Sequence, residues 1–480
     1  MNNPQLALMC CDYYEVNYYR GILPDTVQVS EYCNFTPGGY YNAITGTVTY
    51  NCPGGTPVNG NVRIVVNNQY NASFAENGSY TAFTSYGVQN VTPQFPEPGY
   101  FTITPANYTF NFANTGNDQT ANFCVSPNGV HPDLEVTILP MTTVRPGFDA
   151  KYKLIIKNKG TETQSGSVSF SFDDTILDYV SSIPVVSTQS NSLLSWNFSG
   201  LAPFQDREIS LTLNVNSPLE TPAVNLGDVL HNSVQLTTVQ TDETPADNYA
   251  ELNQTVIGSF DPNDKTVLEG SQVSIARVGD YLNYVVRFQN TGTAAAENVV
   301  VSDFLDGYDY NTLQILSASH PFECRMRTDY ALRLEFIFEG INLPASTADE
   351  AGSYGYVAFR IKPSAATVVG NVIENTANIY FDYNYPIVTN TVATTFTELA
   401  VPSFRHQQFV LYPNPTSGLL HIETLDNQPI IKTLINNVLG QTVLVFGNKT
   451  MLDVGSLVKG TYFVTIETEY GKATQRFIKL

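Results

Sequence analysis

The chain has 480 residues, 42% of them apolar, with mean hydropathy near zero and a formal charge of −21. That length predicts about three to four domains, no run approaches the ~18 apolar residues a membrane helix needs, and the acidity argues against nucleic acid, whose phosphates require clustered Lys/Arg. Tyr, Phe, Val, Thr and Asn are abundant, Met and Trp are scarce, and Gly or Pro recurs at short spacing, a mix that favours strands and turns over helices.

Residues 1–43 read as an irregular, Tyr-rich segment, the remnant of an upstream region. The opening MNNPQLALMCCDYYEV has no basic n-region, and its apolar stretch from Leu6 to Cys11 is too short for a signal peptide. Either the protein stays inside the cell or the sequence lacks its true start. The cluster CCDYYEVNYYRG (Cys10–Gly21) offers rings that could stack on sugars, or a core strand or cap for whatever lies upstream. Five of the six cysteines, Cys10, Cys11, Cys33, Cys52 and Cys124, fall in the first 124 residues, where export would favour disulfides and a reducing compartment free thiols. None shows the paired spacing of a zinc site, and Cys324 reads as a small buried hydrophobe.

From Ile44 the pattern changes. ITGTVTYN, NVRIVVN, the turn ENGS with YTAF, GYFTITP, YTFNFAN and TANFCV are short strands with Gly/Pro/Asn turns, a β-sandwich over residues 44–126. An internal repeat follows. PGFDAKYKLIIKNKGT (Pro146–Thr161) aligns with VGDYLNYVVRFQNTGT (Val278–Thr293) at an offset of 132, so Gly147, Tyr152, Asn158, Gly160 and Thr161 fall on Gly279, Tyr284, Asn290, Gly292 and Thr293. Alternation puts Tyr152, Leu154 and Ile156, and likewise Tyr284, Val286 and Phe288, on buried faces, with Lys153, Lys157 and Arg287 outside. LSWNFSGL (Leu194–Leu201) matches LEFIFEGI (Leu334–Ile341) at offset 140, so a loop has grown on an unchanged core. Two homologous sandwiches are therefore expected at 133–258 and 259–398, with GSFDPNDK at the boundary. A polar, Pro-containing linker is expected at 399–408. A compact sandwich of another type follows at 409–480, opened by LYPNPTSGLL. The fold class is all-β: tandem Ig-like sandwiches with a small C-terminal one, and helix signals nearly absent. Residues 405–480 carry seven Lys/Arg and five Asp/Glu, against 16 and 39 in residues 1–404, an asymmetry that suggests modules of different origin.

YPNPTSGLLHIE, NNVLGQTVL, LVKGTYFVTIET and the terminal RFIKL together closely resemble the type A C-terminal sorting domain of proteins exported by the type IX secretion system in Bacteroidetes. On this sequence the family's motif positions are Tyr412, Pro413, Asn414, Pro415, Gly418, Gly440, Gly460, Tyr462 and Lys479. The resemblance implies an address that is read at the outer membrane and usually cleaved, with the passenger anchored to the surface or released. SFDPNDKTVLEG, NYVVRFQNTGTAAAENVVVSDFLD and NTANIYFDYNYPIVTNT resemble a conserved-repeat sandwich found just upstream of such domains, and GVHPDLEVTILPMTTVRPGFDAKYKLIIKNKGT its Ig-like partner. In flavobacterial proteins the pair often follows leucine-rich repeats or other adhesive modules, which implies a C-terminal part of something longer. Residues 44–126 more loosely resemble a carboxypeptidase-regulatory or Cna-B-type sandwich. Some Cna-B domains lock themselves with a Lys–Asn isopeptide bond, which this block, having no lysine, cannot form.

Motifs for catalysis are missing. His131, His231, His320, His406 and His421 lie outside any H-E-x-x-H, and there is no G-x-S-x-G elbow or phosphate-binding loop. Asp173-Asp174 and Asp303/Asp306/Asp309 fall at expected strand ends, where solvated loop acids are the rule. No enzyme and no cofactor is expected. Calcium is the one ion the sequence could suit, through Asp261, Asn263 and Asp264 at the repeat junction, or Asp382 and Asn384. The competing reading makes these residues Asx-turn formers. The expected function is a secreted or cell-surface, non-catalytic stalk or adhesin-like protein exported by the type IX machinery, its glycan or protein ligand unidentified. The alternative is an accessory or carbohydrate-binding part of a secreted hydrolase.

Overall fold

The structure, a computed structural model, describes residues 6–36, 40–58, 62–75, 77–97, 99–258, 261–328, 332–398, 409–424, 430–437, 441–468 and 471–480. The expected linker 399–408, Gly440, and Ser259 and Phe260 of the boundary motif lie outside them. The chain divides into two compact units, Met1–Thr397 and Glu398–Leu480. Both are built of strands. Among the described residues no helix is long and apolar enough to cross a membrane.

The segment read as irregular has structure of its own. Strands Leu8–Cys10 and Gln28–Ser30 pair in parallel, joined by a helix at Tyr13–Ile22, and Cys10 is bonded to Cys33. The helix signal was present in Asp12 and Glu15: the Asp12 N–H donates to Glu15 Oε2 at 3.4 Å, one half of a capping box. Tyrosine abundance masks it, because aromatic residues are indifferent helix formers.

In the first sandwich, strand Asn42–Tyr50 pairs with Ser79–Thr84, Asp118–Thr120 and Phe123–Pro127. The facing sheet runs Tyr108–Phe112, Gly87–Gln94, Arg63–Val66, Asn68–Phe74. Ile44, Val48, Ile64, Val91 and Phe123 fill the space between them, and a Cys52–Cys124 disulfide closes one end.

The two repeated sandwiches share register. Leu154 sits opposite Ile138 and Ile209 in one, and Val286 opposite Lys265 and Val357 in the other. Tyr152, Leu154, Ile156, Tyr284, Val286 and Phe288 are all buried. The repeated Asn-x-Gly has one structural job in both. Asn158 Oδ1 accepts from Gly160 N at 3.0 Å while its amide donates to the carbonyls of Glu162 and Leu201. Asn290 does the same with Gly292, Ala294 and Leu343. A side chain that satisfies three backbone groups at a strand end fixes the exit of that strand.

One sequence expectation is corrected. Lys153, Lys157 and Arg287 do not face solvent. The sheet carrying Asp149–Asn158 stacks on the sheet carrying Leu282–Gln289, and Leu139, Ile155, Val285, Tyr356 and Ala358 form an apolar contact between the sandwiches. Within it Arg287, 6% exposed, bonds Asp264 and the Pro140 carbonyl. Arg360 clamps Glu135 with two hydrogen bonds, and Lys153 bridges Glu208 and the Tyr356 hydroxyl. Alternation reveals two faces but cannot tell which one meets a neighbouring domain.

The third sandwich also joins the first. Strand Glu323–Thr328 pairs with Asn68–Phe74, Arg325 opposite Ser73 and Met326 opposite Ala72, so one nine-stranded sheet runs through both. The N-terminal segment covers the outer side of that sheet, where Tyr32 and Phe35 pack on Val300, Ile337 and Tyr380.

Candidate functional site

The second unit has the residues that mark the tail. Its strands form a three-stranded sheet (Phe409–Tyr412, Leu419–Thr424, Met451–Asp453) and a four-stranded sheet (Thr442–Phe446, Lys432–Asn436, Gly460–Thr468, Gly471–Lys479) around Leu420, Ile422, Ile435, Val464 and Phe477. Pro413 and Pro415 have no N–H to give a ladder. The asparagine between them makes up the pairing. Its Oδ1 accepts from Ile478 N at 2.9 Å and its Nδ2 donates to the Arg476 carbonyl at 3.1 Å. Buried Thr416 then takes over: its N–H donates to the Ile478 carbonyl, and its carbonyl accepts from Leu480 N, each at 2.9 Å. The opening motif and the last five residues are therefore one zipped edge, although Asn414 and Ile478 are 64 residues apart in the chain.

The remaining marks fit around this edge. Tyr412 stacks in parallel on His421, its cross-strand partner, at 5.3 Å. Tyr462 stacks on Phe477 and donates to the Val458 carbonyl at 2.9 Å. Gly418 accepts from Val454 N, Gly460 lies opposite Lys479, and the Lys479 ammonium donates to the Leu480 carbonyl. Asn414→Ala removes two hydrogen bonds and is expected to cost this unit about 1–3 kcal/mol, read as a fall in the melting temperature of the tail transition. An unchanged melt would mean that water replaces the amide.

The residues expected to bind calcium are otherwise engaged. Asp261 Oδ1 accepts from Asn263 N at 2.9 Å, an Asx turn, and buried Asn263 accepts from Gln289 N at 3.1 Å. Asp264 receives the Arg287 guanidinium through two nitrogens. Asp261 and Asp264 line a cleft between the repeated sandwiches together with Val144, Leu252 and Arg287. Of the second pair, Asp382 accepts from Asn298 N and Asn384 from the Gln28 side chain.

Sequence reading passed over an acidic cluster at the start of the second sandwich. Carboxylate oxygens of Asp133, Asp242 and Asp247 lie within 4.8 Å of one another. The Lys159 ammonium sits among these acids, 2.5 Å from Asp247 and 3.3 Å from Asp133, and supplies the positive charge. Burial pushes the Asp247 carboxyl up to about 7, with Lys159 opposing. Nearby, His131 stacks on Tyr100 at 4.3 Å and bonds Glu243 at 3.0 Å. It serves a structural role at this end of the sandwich.

Comparison with known proteins matches residues 410–480 to the secretion system C-terminal sorting domain and residues 261–395 to a domain of unknown function, DUF7619. No curated protein matches the chain. Among solved structures, the major pilin subunit of Bacillus cereus is 11% identical, with 75% of this chain and 97% of that chain covered and a TM-score of 0.21. The collagen adhesin of S. aureus is 13% identical over 55% and 91%, TM-score 0.20. A DUF3823 family protein from Parabacteroides merdae is 15% identical over 45% and 99%, TM-score 0.17. Fold and tail together define an exported multidomain β protein that carries a sorting domain. It is a cargo of the Bacteroidetes type IX secretion system, delivered to the cell surface or the extracellular space.

Proposed function

We propose that the exported body is a non-catalytic, adhesin-like stalk, and that the sorting domain is its address alone. The observation that carries this reading is the way the sandwiches are joined. They are not beads on flexible linkers. A shared sheet, a stacked face and the buried Arg360–Glu135 clamp make residues 1–397 one unit. Such a body suits holding a binding region at a fixed distance from the membrane. Calcium has no part in this proposal, because Arg287 already occupies the Asp264 carboxylate.

The alternative, an accessory or carbohydrate-binding part of a secreted hydrolase, predicts a different neighbour. Peptide-level mass spectrometry of surface and medium fractions separates the two. We expect peptides from residues 6–397 in one of those fractions, none from 410–480, and no hydrolase domain on the same mature polypeptide. A catalytic domain on that polypeptide would favour the alternative, and an intact chain confined to the cytoplasm would refute both. Which fraction holds the body tells anchoring from release.

A further inference from the structure

Lys265 lies at the second position of strand Asp264–Val267 and is 1% exposed. Its ammonium nitrogen contacts Asp303 Oδ2, from strand Val299–Phe304, and lies 2.7 Å from Asn375 Oδ1, at the end of strand Val372–Asn375. Asp303 and Asn375 are as deeply buried. The rings of Tyr284 and Phe359 stand 5.0 and 5.3 Å from the nitrogen and keep water away, and the Asn375 amide donates to the Tyr308 hydroxyl at 3.1 Å. Three strands of three different sheets thus converge an amine, a carboxyl and a carboxamide in a dry aromatic core.

The fold does not require them. The second sandwich is an internal control in the same register. Lys265 lies opposite Val286 as Ile138 lies opposite Leu154. Asp303 lies opposite Leu334 as Phe170 lies opposite Leu194. Asn375, two residues before the partner of Asp303, corresponds to Asn232, two before the partner of Phe170. The same core thus stands with an Ile and a Phe in place of the charged pair, and a buried ion pair is seldom more stabilising than apolar residues of similar size. A lysine and an aspartate held there together call for a chemical reason.

We propose that Lys265 and Asn375 join in an autocatalytic intramolecular isopeptide bond, with Asp303 as the acid–base group. The neutral Lys265 amine attacks Asn375 Cγ. The Nζ–Cγ bond forms and the Cγ–Nδ2 bond breaks. Asp303 protonates the amide oxygen as the amine attacks, takes the proton the amine gives up and passes it to the departing nitrogen, and recovers its first proton from the oxygen as the C=O bond re-forms. An amine and a primary amide become a secondary amide and ammonia, with no oxidant, cofactor or water consumed. Burial favours the protonation states this needs. It pushes the Lys265 amine down, with Asp303 opposing, and the Asp303 carboxyl up, with Lys265 opposing. The bond would tie the first strand of the third sandwich to one near its end, 110 residues apart, so that tension along the chain bypasses everything between them.

The test is the mass of the purified full chain, reduced and denatured, followed by proteolysis. The expected result is a deficit of one ammonia and a branched peptide joining Lys265 to Asn375. In Asp303→Ala and Asn375→Ala, with folding checked by circular dichroism, the branch should be absent. A full sequence mass overturns the proposal. So does a deficit of ammonia without the branched peptide, which cyclisation at an exposed asparagine would give. A deficit of one water with Lys265 joined to Asp303 overturns the assignment of Asn375. The wild-type measurement decides even where a variant fails to fold.

Discussion

Deletion of residues 410–480 is expected to reduce surface and medium levels of the protein to background, while the body accumulates inside the outer membrane. The expectation rests on the sorting-domain match over those residues and on the separation of the two units at Thr397 and Glu398. The body keeps its own cores without the tail, so loss of export would not reflect loss of folding. Immunoblots of cell, surface and medium fractions check it. A body that still reaches the surface at the wild-type level would show that the tail is dispensable. A milder change, Asn414→Ala, should lower delivery only as far as it opens the edge zipped to Ile478.

The largest stability effect is expected at Glu335. This carboxylate is fully buried under the N-terminal segment, 2.9 Å from Arg325, 3.1 Å from Arg327 and 2.7 Å from the Tyr32 hydroxyl, with Arg333 and Glu31 alongside. Glu335→Ala leaves the buried Arg325 guanidinium without its carboxylate and Arg327 and Arg333 sharing Glu31, at a cost of about 3–5 kcal/mol, read from urea denaturation of the full chain. A loss below ~1 kcal/mol would mean that water enters the site. Burial pushes the Glu335 carboxyl up, but Arg327, Arg325 and Arg333 outweigh it, and the net direction is down. An acid held below its unfolded value stabilises the fold above that value, near pH 4.3, and loses its contribution as pH falls through the folded value. The gap between wild type and variant should therefore be constant at neutral pH and close in acid.

What could be read in the sequence was what recurs or clusters locally. The two offsets, 132 setting Tyr152 on Tyr284 and 140 setting Trp196 on Phe336, located equivalent strands, and both members of each pair are buried. The tail was legible because several of its motifs occur together, and in the fold the first of them, at Asn414, is zipped to the last, at Ile478. What stayed hidden was long-range. Nothing in Lys153 or Arg287 says that a second sheet will cover them. The boundary motif drew attention to Asp261 and Asp264 as cation ligands, whereas the neighbouring Lys265 carries the more unusual environment. Its partners lie 38 and 110 residues away, and only the fold brings them together.

The pairing of Arg325 with Ser73 and of Met326 with Ala72 also constrains how the protein is made. Until the third sandwich exists, strand Asn68–Phe74 is an open sheet edge, and unpaired edges recruit other chains. Newly made or truncated molecules that stop before Glu323 should therefore be the aggregation-prone ones. Closing so large a loop adds little entropy cost beyond that of a shorter one, but it defers the last contacts to a late step. The body should gain its solubility all at once, when the first and third sandwiches meet.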